Sequence, residues 1–328
     1  MEIINAVVVT YNRKELLEEC IAALLNQTYK LNKIVVIDNA SNDGTKELLA
    51  TKYLIPEIKV YSLNRNMGGA GGFYYGTKIA VEGCDWIWEM DDDTIPSPTA
   101  LEELIKAKDK IKAEVSFLAS TVHGMNNEPM NVPNVDLRPS LNGYSEWYKY
   151  LKEGLVEIES ATLVSLLVNV KAVRKVGAPH PYFFIWGDDT EYTLRMTHYY
   201  GKAYFVGRSE VIHKRIGGKA LSVITEENIN RIKLYKMMYR NNLVCSKYYQ
   251  SKKQHIKTIV LYIVISLKTL FCARDHRILR FISVLNGVFE YLLGKYNKNA
   301  FENRFNNINE NYLDEYLVVE ENGGKVKW

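Results

Sequence analysis

The alternation of short apolar runs with helical patterns over residues 1–93 constrains the fold of this chain more than any other feature. Four runs rich in β-branched or aromatic residues end in polar residues, which predicts buried strands. The segments between them carry apolar residues at helical spacing. The predicted strands are 5–12, 33–38, 58–64 and 85–93, and the predicted helices are 14–27, 45–54 and one that follows a glycine-rich loop at 64–73. This pattern favours an α/β fold in which helices cover a mostly parallel central sheet.

Polar residues stand where the predicted strands end. In parallel α/β sheets, ligands bind at the carboxyl ends of the strands. Side chains that are far apart in the chain are therefore expected to converge there. These residues are Thr10, Tyr11, Asp38, Asn64 and the triplet Asp91–Asp93.

The triplet Asp91, Asp92 and Asp93 directly follows the fourth predicted strand. Neighbouring carboxylates repel one another, and burial strengthens that repulsion. One interpretation is a solvated acidic turn before a helix that starts near Pro98. The other is a divalent-cation site, in which alternate carboxylates bind a cation that also bridges phosphate oxygens. The position after a buried strand favours the cation site.

The glycine-rich segment 64–73, which includes Gly68 and Gly69, precedes a predicted helix. It would let the backbone approach a ligand closely, with helix N-terminal amides facing phosphate. It contains neither the Gly-Lys-Ser/Thr of a Walker loop nor a clean dinucleotide fingerprint. A flexible loop without a ligand remains the alternative.

A second acidic cluster lies at 186–192. Asp188 or Asp189 is expected to cap a helix that begins near Thr190, with Glu191 in its first turn. A carboxylate at such a position beside a cation site also suits a general base. The pattern alone leaves both roles open.

A predicted strand at 203–215 ends at His213. A lone histidine there is more often structural, and it becomes a metal ligand only if this strand end meets Asp93. Lys214, Arg215 and Lys219 follow on a glycine-bearing loop, which suits a diphosphate or a solvated surface.

The chain from about Thr225 is predicted to be helical and basic. Residues 231–300 hold 14 Lys or Arg against two acidic residues, within a net charge of +4. This charge suggests an anionic partner such as membrane lipid, nucleic acid or a phosphorylated substrate. The uncharged stretch Thr258–Leu267 falls short of the roughly 20 residues that span a bilayer. We expect a core or interface helix, or one that lies on an anionic membrane face.

Other features bear on the partners and the cellular location of the protein. No nucleic-acid-binding module is recognisable, so nucleic acid is not an expected partner. The four cysteines form no CxxC pair, which predicts reduced thiols in a cytoplasmic protein. The first residues lack the basic start and long apolar core of a secretory signal. Residues 121–145 are rich in Asn, Pro and Gly and read as a long functional loop.

Together these motifs resemble family 2 glycosyltransferases of the inverting GT-A type. The resembling motifs are VVVTYNR (the opening strand and loop), VVIDNASNDGT (the D-x-x-S-x-D-x-T segment) and EMDDDT (the metal-binding acidic motif). The resemblance runs from residue 5 to about 250 and is greatest to galactofuranosyltransferases. Those proteins have counterparts of NMGGAGGFYYG, WGDDTEYTLR and the later strand-end histidine. Their mycobacterial-type pattern has Trp directly before the two aspartates, whereas Gly187 intervenes here, and rhamnosyltransferases share much of the layout.

The resemblance implies a role for each matched residue. The implied nucleotide-sugar site comprises Thr10, Tyr11, Arg13, Asp38, Asn64, Asn66, Gly68, Gly69 and Asp92. The implied ligands of Mn²⁺ or Mg²⁺ are Asp91, Asp93 and His213. Asp189 is the implied base and Asp188 the second candidate, with Trp186 and Glu191 at the acceptor site.

The expected function is metal-dependent, inverting transfer of a sugar, with UDP-galactofuranose as donor and dTDP-rhamnose as the alternative. The acceptor would be a glycan or lipid-linked glycan at the cytoplasmic membrane face, in cell-surface polysaccharide synthesis. A GT-A domain would span 1–225, and a helical region at 226–328 would dock to membrane or acceptor, or form homo-oligomers. The rival hypotheses are a nucleotidyltransferase, which would carry glycine after the first strand, and a non-catalytic membrane- or glycan-binding scaffold.

Overall fold

The structure is a computed structural model. It describes residues 1–215 and 221–309, together with the backbone of 319–321 and 324–326. Lys219 of the basic loop lies outside the described residues.

Ten strands of the described chain form one central sheet. They are β1 (Ile4–Thr10), β2 (Lys33–Asp38), β3 (Ile58–Ser62), β4 (Trp86–Asp91), β5 (Thr94–Pro96), β6 (Val115–His123), β7 (Asn134–Val135), β8 (Leu155–Ser160), β9 (Leu166–Asn169) and β10 (Lys202–His213). A separate hairpin pairs β11 (Val319–Glu321) with β12 (Gly324–Val326).

The sheet has a parallel half and a mixed half. Its order is β3-β2-β1-β4-β9-β6-β10-β8-β7, and β5 pairs with β10. All pairs among the first four strands in this order are parallel, which confirms the α/β prediction for the first 93 residues. Beyond them only β6 and β10 pair in parallel, because β9 runs antiparallel between β4 and β6. The whole sheet is therefore mixed.

Helices cover both faces of the sheet. They are α1 (Lys14–Leu25), α2 (Thr45–Lys52), α3 (Gly68–Ala80), α4 (Ala100–Lys110), α5 (Val170–Val176), α6 (Asp188–Tyr199), α7 (Ile229–Tyr249), α8 (Lys252–Cys272), α9 (Arg277–Leu292) and α10 (Lys298–Glu302). Successive side chains of a strand point to opposite faces. Ala6 and Val8 of β1 accordingly pack with α1 and α4, and Val7 and Val9 pack with α3 and α6.

The glycine-rich segment is mostly helical, which differs from the predicted loop at 64–73. Helix α3 begins at Gly68, so the run GGAGG lies in its first turns. A Cβ on Gly72 would come within 2.3 Å of Val9 Cγ1, and one on Gly76 within 2.3 Å of Val7 Cγ1. The glycines therefore let α3 lie directly against β1 and bring its N-terminus to the strand ends.

Helices α7, α8 and α9 pack on one another, as predicted for the basic region after Thr225. Helix α8 has 21 residues, and by length and composition it could cross a membrane, although core helices and signal sequences also meet that test. The uncharged stretch Thr258–Leu267, which falls short of a span, is the middle of this longer helix, and a core or interface position for α8 stays a prediction.

Candidate active site

An antiparallel pairing brings His213 to the acidic triplet. Strand β5 follows the triplet and pairs with the end of β10, with Thr94 opposite His213. The amide of Lys214 donates to the backbone carbonyl of Asp93 at 2.8 Å. His213 Nε2 consequently lies 3.1 Å from Asp93 Oδ1. The end of the strand that carries His213 therefore meets Asp93, which is the arrangement required for the two residues to share an ion.

Asp91, Asp93 and His213 form a group with metal-binding geometry. Their candidate ligand atoms all lie within 4.8 Å of one another. Two carboxylates and an imidazole are donors that suit Mn²⁺, and carboxylates suit Mg²⁺. The donor set therefore fits the divalent cation that the resemblance implies.

Asn131 holds the other side of the His213 ring, and no sequence pattern indicated it. Its Oδ1 lies 2.8 Å from His213 Nδ1. An amide oxygen can only accept, so Nδ1 carries the proton in this hydrogen bond, and Nε2, which lies beside Asp93, is the ring nitrogen that a cation could use. The long loop at 121–145, which was expected to be functional, thus contributes directly to the cluster.

Asp92 faces the start of the chain. It accepts hydrogen bonds from Thr10 Oγ1 at 2.7 Å and Arg13 Nη1 at 3.1 Å. Arg13 Nη1 also donates to Asp93 Oδ2 at 2.6 Å. The Tyr11 side chain is 42% exposed beside them. Thr10, Tyr11 and Arg13 therefore meet the triplet at the end of β1, as expected from the parallel topology.

The three aspartates differ in electrostatics. Burial, followed by the charges of Asp93 and Asp92, raises the pKa of Asp91 well above its ordinary value. Burial raises the pKa of Asp92 to about 6 despite the opposing charge of Arg13. Burial acts on Asp93 too, but the interaction with His213 and the charge of Arg13 outweigh it and lower its pKa. A cation bound here would favour the ionised form of all three.

The ends of β2 and β3 form the neighbouring wall of the site. Asp38 is buried, which raises its pKa, and its Oδ1 accepts from the Ser41 amide at 3.0 Å. Asn39, which the sequence reasoning missed, ties this wall to α3, because its Nδ2 donates to Gly68 O and its Oδ1 accepts from Met67 N. Asn64, after β3, is exposed.

The N-terminus of α3 contains two glycines in different environments. Gly68 has φ +71°, its amide donates to Asn66 Oδ1, and an added Cβ would lie 2.0 Å from Phe184 O. Gly69 has nothing within 4 Å of an added Cβ. Gly68 is therefore required by the protein's own packing, whereas Gly69 borders open space that a ligand can approach.

The segment 183–187 leads into the second acidic cluster and has a strained backbone. Phe184, Trp186 and Gly187 all have positive φ, at 66°, 60° and 88°. Asn241 of α7 holds this segment, since its Nδ2 donates to the carbonyls of Phe183, Ile185 and Trp186. The Trp186 ring packs 4.9 Å from the ring of Tyr235, also on α7.

Asp188 and Asp189 form the first turn of α6, two residues earlier than predicted. Burial, followed by the charge of Asp189, raises the pKa of Asp188 to about 8, and burial raises that of Asp189. The charge of Asp188 also contributes to the raised pKa of Asp91, so one carboxylate of each acidic cluster interacts with the other. Asp188 is buried, while Asp189 is half-buried and partly open to solvent.

Glu191 cannot contact an acceptor, which corrects the role that the resemblance implied. Its side chain is 0% exposed, between Arg195 and Arg304. Arg195 Nη2 lies 3.0 Å from one carboxylate oxygen, and Arg304 Nε (2.9 Å) and the Tyr249 hydroxyl (2.6 Å) donate to the other. Glu191 therefore anchors α6 to residues 298–309, which we call the C-terminal clasp.

Solved structures share this architecture. A crystal structure of GalNAc-T7 with UDP, GalNAc and Mn²⁺ matches with a TM-score of 0.54 at 16% identity, over 79% of this chain and 54% of that one. A crystal structure of S. aureus TarS matches with a TM-score of 0.53 at 12% identity, over 94% of this chain and 55% of that one. These similarities establish the fold, which is that of GT-A glycosyltransferases.

Sequence comparison adds further similarities. Residues 6–164, just under half of the chain, match the model of Glycosyl transferase family 2. Galactofuranosyltransferase GlfT1 of Mycolicibacterium smegmatis is 32% identical over 208 residues, which cover 60% of this chain and 65% of the relative. Abequosyltransferase RfbV of Salmonella typhimurium is 37% identical over 97 residues, covering 27% of this chain and 28% of the relative. Coverage of the GlfT1 relatives, at 65% and 64%, is below two thirds of their length.

Proposed function

We propose that this protein is an inverting, divalent-cation-dependent glycosyltransferase that transfers galactofuranose from UDP-galactofuranose to a glycan or lipid-linked acceptor. The observation that carries the proposal is that Asp91, Asp93 and His213 lie within ligand distance of one another, with Asp188 close enough for its charge to raise the pKa of Asp91. A scaffold without catalysis has no need to assemble these two clusters. A nucleotidyltransferase is disfavoured because Tyr11 to Lys14 contain no glycine after the first strand.

The proposed chemistry is one displacement at the anomeric carbon. Asp189 accepts the proton of the acceptor hydroxyl as its oxygen forms the new glycosidic bond. The bond from the anomeric carbon to the diphosphate oxygen breaks, and its electron pair leaves with the nucleoside diphosphate. Burial raises the pKa of Asp189, the direction that strengthens a carboxylate as a base, and its side chain is half-buried. No covalent enzyme intermediate is required.

The leaving group needs its charge neutralised. A divalent cation held by Asp91, Asp93 and His213 would supply this by binding the diphosphate oxygens. The N-terminus of α3, where the Gly69 amide borders open space, lies at the same edge of the sheet and favours an anion. Asp38, Thr10 and Arg13 would contact the nucleotide.

We further propose a cytoplasmic enzyme at the membrane face, where a lipid-linked acceptor of cell-surface polysaccharide synthesis would be presented. The 14 Lys or Arg of residues 231–300 support this location. Galactofuranose is favoured over rhamnose by the similarity to galactofuranosyltransferase GlfT1.

A donor screen tests the sugar. Purified protein with Mn²⁺ would be given UDP-galactofuranose, UDP-galactopyranose and dTDP-rhamnose, and released nucleoside diphosphate would be measured with and without EDTA. We expect release from UDP-galactofuranose that EDTA abolishes. Release only from dTDP-rhamnose would overturn the donor, and release unaffected by EDTA would overturn the metal dependence.

Asp189→Asn tests the base. The amide cannot accept the proton, so we expect kcat to fall by about 10²- to 10⁴-fold, while the affinity for UDP measured by calorimetry stays unchanged. Asp109→Asn, on an exposed carboxylate of α4, is the matched control. Should Asp188→Asn abolish turnover while Asp189→Asn does not, Asp188 takes the role of base.

A further inference from the structure

Helix α8 buries few apolar residues. Its fully buried residues are the small polar Ser266 and Thr269, while Tyr262 and Ile265 pack partly buried against the protein and the ring of His255 is partly covered. Ser266 and Thr269 donate their hydroxyl protons to carbonyls of the same helix, at Ile263 and Ser266, so they need no water. Amphipathic helices of soluble proteins bury their apolar stripe instead.

The outward stripe of α8 is apolar along its whole length. Its residues recur at intervals of three or four, which places them on one face. They are Ile256 (60% exposed), Val260 (54%), Ile263 (41%), Val264 (52%), Leu267 (48%) and Phe271 (78%). No residue in the described part of the chain covers them.

Helix α9 repeats the pattern. Ile278, Ile282, Phe289 and Leu292 are exposed on one stripe, at 70%, 44%, 55% and 60%. The opposite side of α9 packs so closely on α7 that a Cβ on Gly287 would lie 2.5 Å from Lys236 O. Contiguous exposed apolar surface of this kind marks an interaction site with a partner protein or a membrane.

The charges around the stripes are positive. Lys252, Lys253 and Lys257 flank the start of α8, and Lys268 and Arg274 flank its end. None of these five forms an ion pair with a described residue, and α8 contains no acidic residue. A second copy of this chain would bring the same positive rim against itself, whereas anionic lipid headgroups would neutralise it.

We propose that the outward faces of α8 and α9 insert into the surface of an anionic lipid bilayer, and that α8 lies in the interface instead of crossing it. Its inner face is committed to the protein, because Tyr262 packs 4.7 Å from the ring of Tyr239 on α7. The His255 ring is likewise held by Ser246 of α7 and Tyr291 of α9. A helix fixed on one side and apolar on the other is suited to lie in the interface, with its lysines at the headgroups.

This inference rests on the proposed membrane location but not on catalysis, so binding is measured without substrate. The full chain would be floated with vesicles of phosphatidylcholine alone and of phosphatidylcholine with about 30% phosphatidylglycerol. We expect binding to the anionic vesicles to be at least tenfold stronger. Calorimetry with UDP and Mn²⁺ on the same preparation would separately test the donor site.

Substitution of the stripe tests the surface. The triple variant Val264→Gln, Leu267→Gln and Phe271→Gln should lose at least tenfold in vesicle affinity while keeping its Tm and its affinity for UDP. The control is the pair Leu54→Gln and Ile55→Gln, which are exposed apolar residues after α2. Each of the changes Lys252→Gln, Lys253→Gln and Lys257→Gln should lower anionic-vesicle affinity about fivefold.

Two results would overturn the proposal. One is flotation of the triple variant equal to that of the unsubstituted protein. The other is a wild-type dimer that ignores vesicles and that the triple variant converts to a monomer, which would identify a second copy of the chain as the partner.

Discussion

At the scale of single residues, Asn131 has the most specific effect to test. Its contact with Nδ1 leaves the Nε2 lone pair of His213 free to bind a cation. We expect Asn131→Ala to weaken Mn²⁺ affinity by about 10- to 100-fold, measured by electron paramagnetic resonance of free Mn²⁺ without substrate. Asn127→Ala, an exposed asparagine of the same loop that also has positive φ, is the control. Equal affinities in the two variants would remove Asn131 from the cation site.

Glu89 is a second residue with a measurable consequence. It is fully buried in β4 beside Thr77 of α3, and burial raises its pKa to about 8. Between the ordinary value near 4.5 and about 8, the unfolded chain ionises while the folded protein keeps the proton. The unfolded state therefore binds fewer protons, and stability falls as pH rises through this window.

Glu89→Gln removes that titration while keeping the shape of the side chain. We expect the free energy of unfolding of the variant, relative to the wild type, to rise between pH 5 and pH 8 in urea titrations. Glu57→Gln, on an exposed side chain, should show no such trend. A parallel pH dependence in wild type and Glu89→Gln would show that Glu89 is ionised in the folded protein.

At the scale of elements, the two glycines at the N-terminus of α3 differ in role: Gly68 is needed for packing, whereas Gly69 borders space that a ligand can approach. Gly68→Ala forces a Cβ to 2.0 Å from Phe184 O at positive φ, so we expect a lower Tm and disruption of the segment that carries Asp189. Gly69→Ala meets no protein atom, so its Tm should be unchanged. If the donor diphosphate approaches this amide, Gly69→Ala should still weaken UDP binding in calorimetry. Unchanged UDP binding would move the donor away from α3.

The elements also show what the sequence could and could not predict. Parallel strands bring their ends together whatever the loops do, so Thr10, Asp38 and Asp91 were predictable from periodicity alone. The antiparallel return of β9 and the pairing of β5 with β10 depend on long-range contacts that leave no local pattern. Asn39, Asn131 and Asn241 were missed for the same reason, since a single amide in a loop or helix carries no periodic signal.

Glu191 shows the opposite error. The family resemblance implied that Glu191 lies at the acceptor site. Arg195 lies four residues after Glu191 on α6, a spacing that places both on one face of a helix. Arg304 lies 113 residues later, and no local sequence pattern indicates its contact with Glu191. The role of a charged residue near a site therefore depends on the side chains that contact it in the fold, and its neighbours in the sequence do not reveal that role.

At the scale of the whole molecule, the C-terminal clasp joins residues 298–309 to α3 and α6. Arg304 binds Glu191 of α6, Asn307 Oδ1 accepts from the Ala178 amide, and the Tyr74 hydroxyl of α3 donates to Asn307 O. The helical region after 225 therefore contacts the elements of the candidate site through α7 and this clasp. We propose that the two are one folding unit.

Arg304→Ala tests this connection. Arg304→Ala removes one of the two arginines that contact the buried Glu191, while Arg195 keeps the charge of Glu191 paired. We therefore expect a loss of about 1.5–3 kcal/mol in the free energy of unfolding, the range for a hydrogen bond to a charged group. Arg174→Ala, which breaks an exposed pair with Glu82, should change stability little. Near-equal stability of the two variants in urea titrations would mean that the clasp is dispensable for folding.

The position of the clasp in the chain has a consequence for biosynthesis. Domains fold as units while the ribosome adds residues from the N-terminus. The parallel half-sheet and the aspartate triplet emerge early, but the helix that carries Asp189 gains its Arg304 anchor only after residue 304 has been made. A nascent or prematurely terminated chain would then hold the aspartate triplet without an anchored α6. Under the function proposed above, such a chain would present its donor site before its base is held in place.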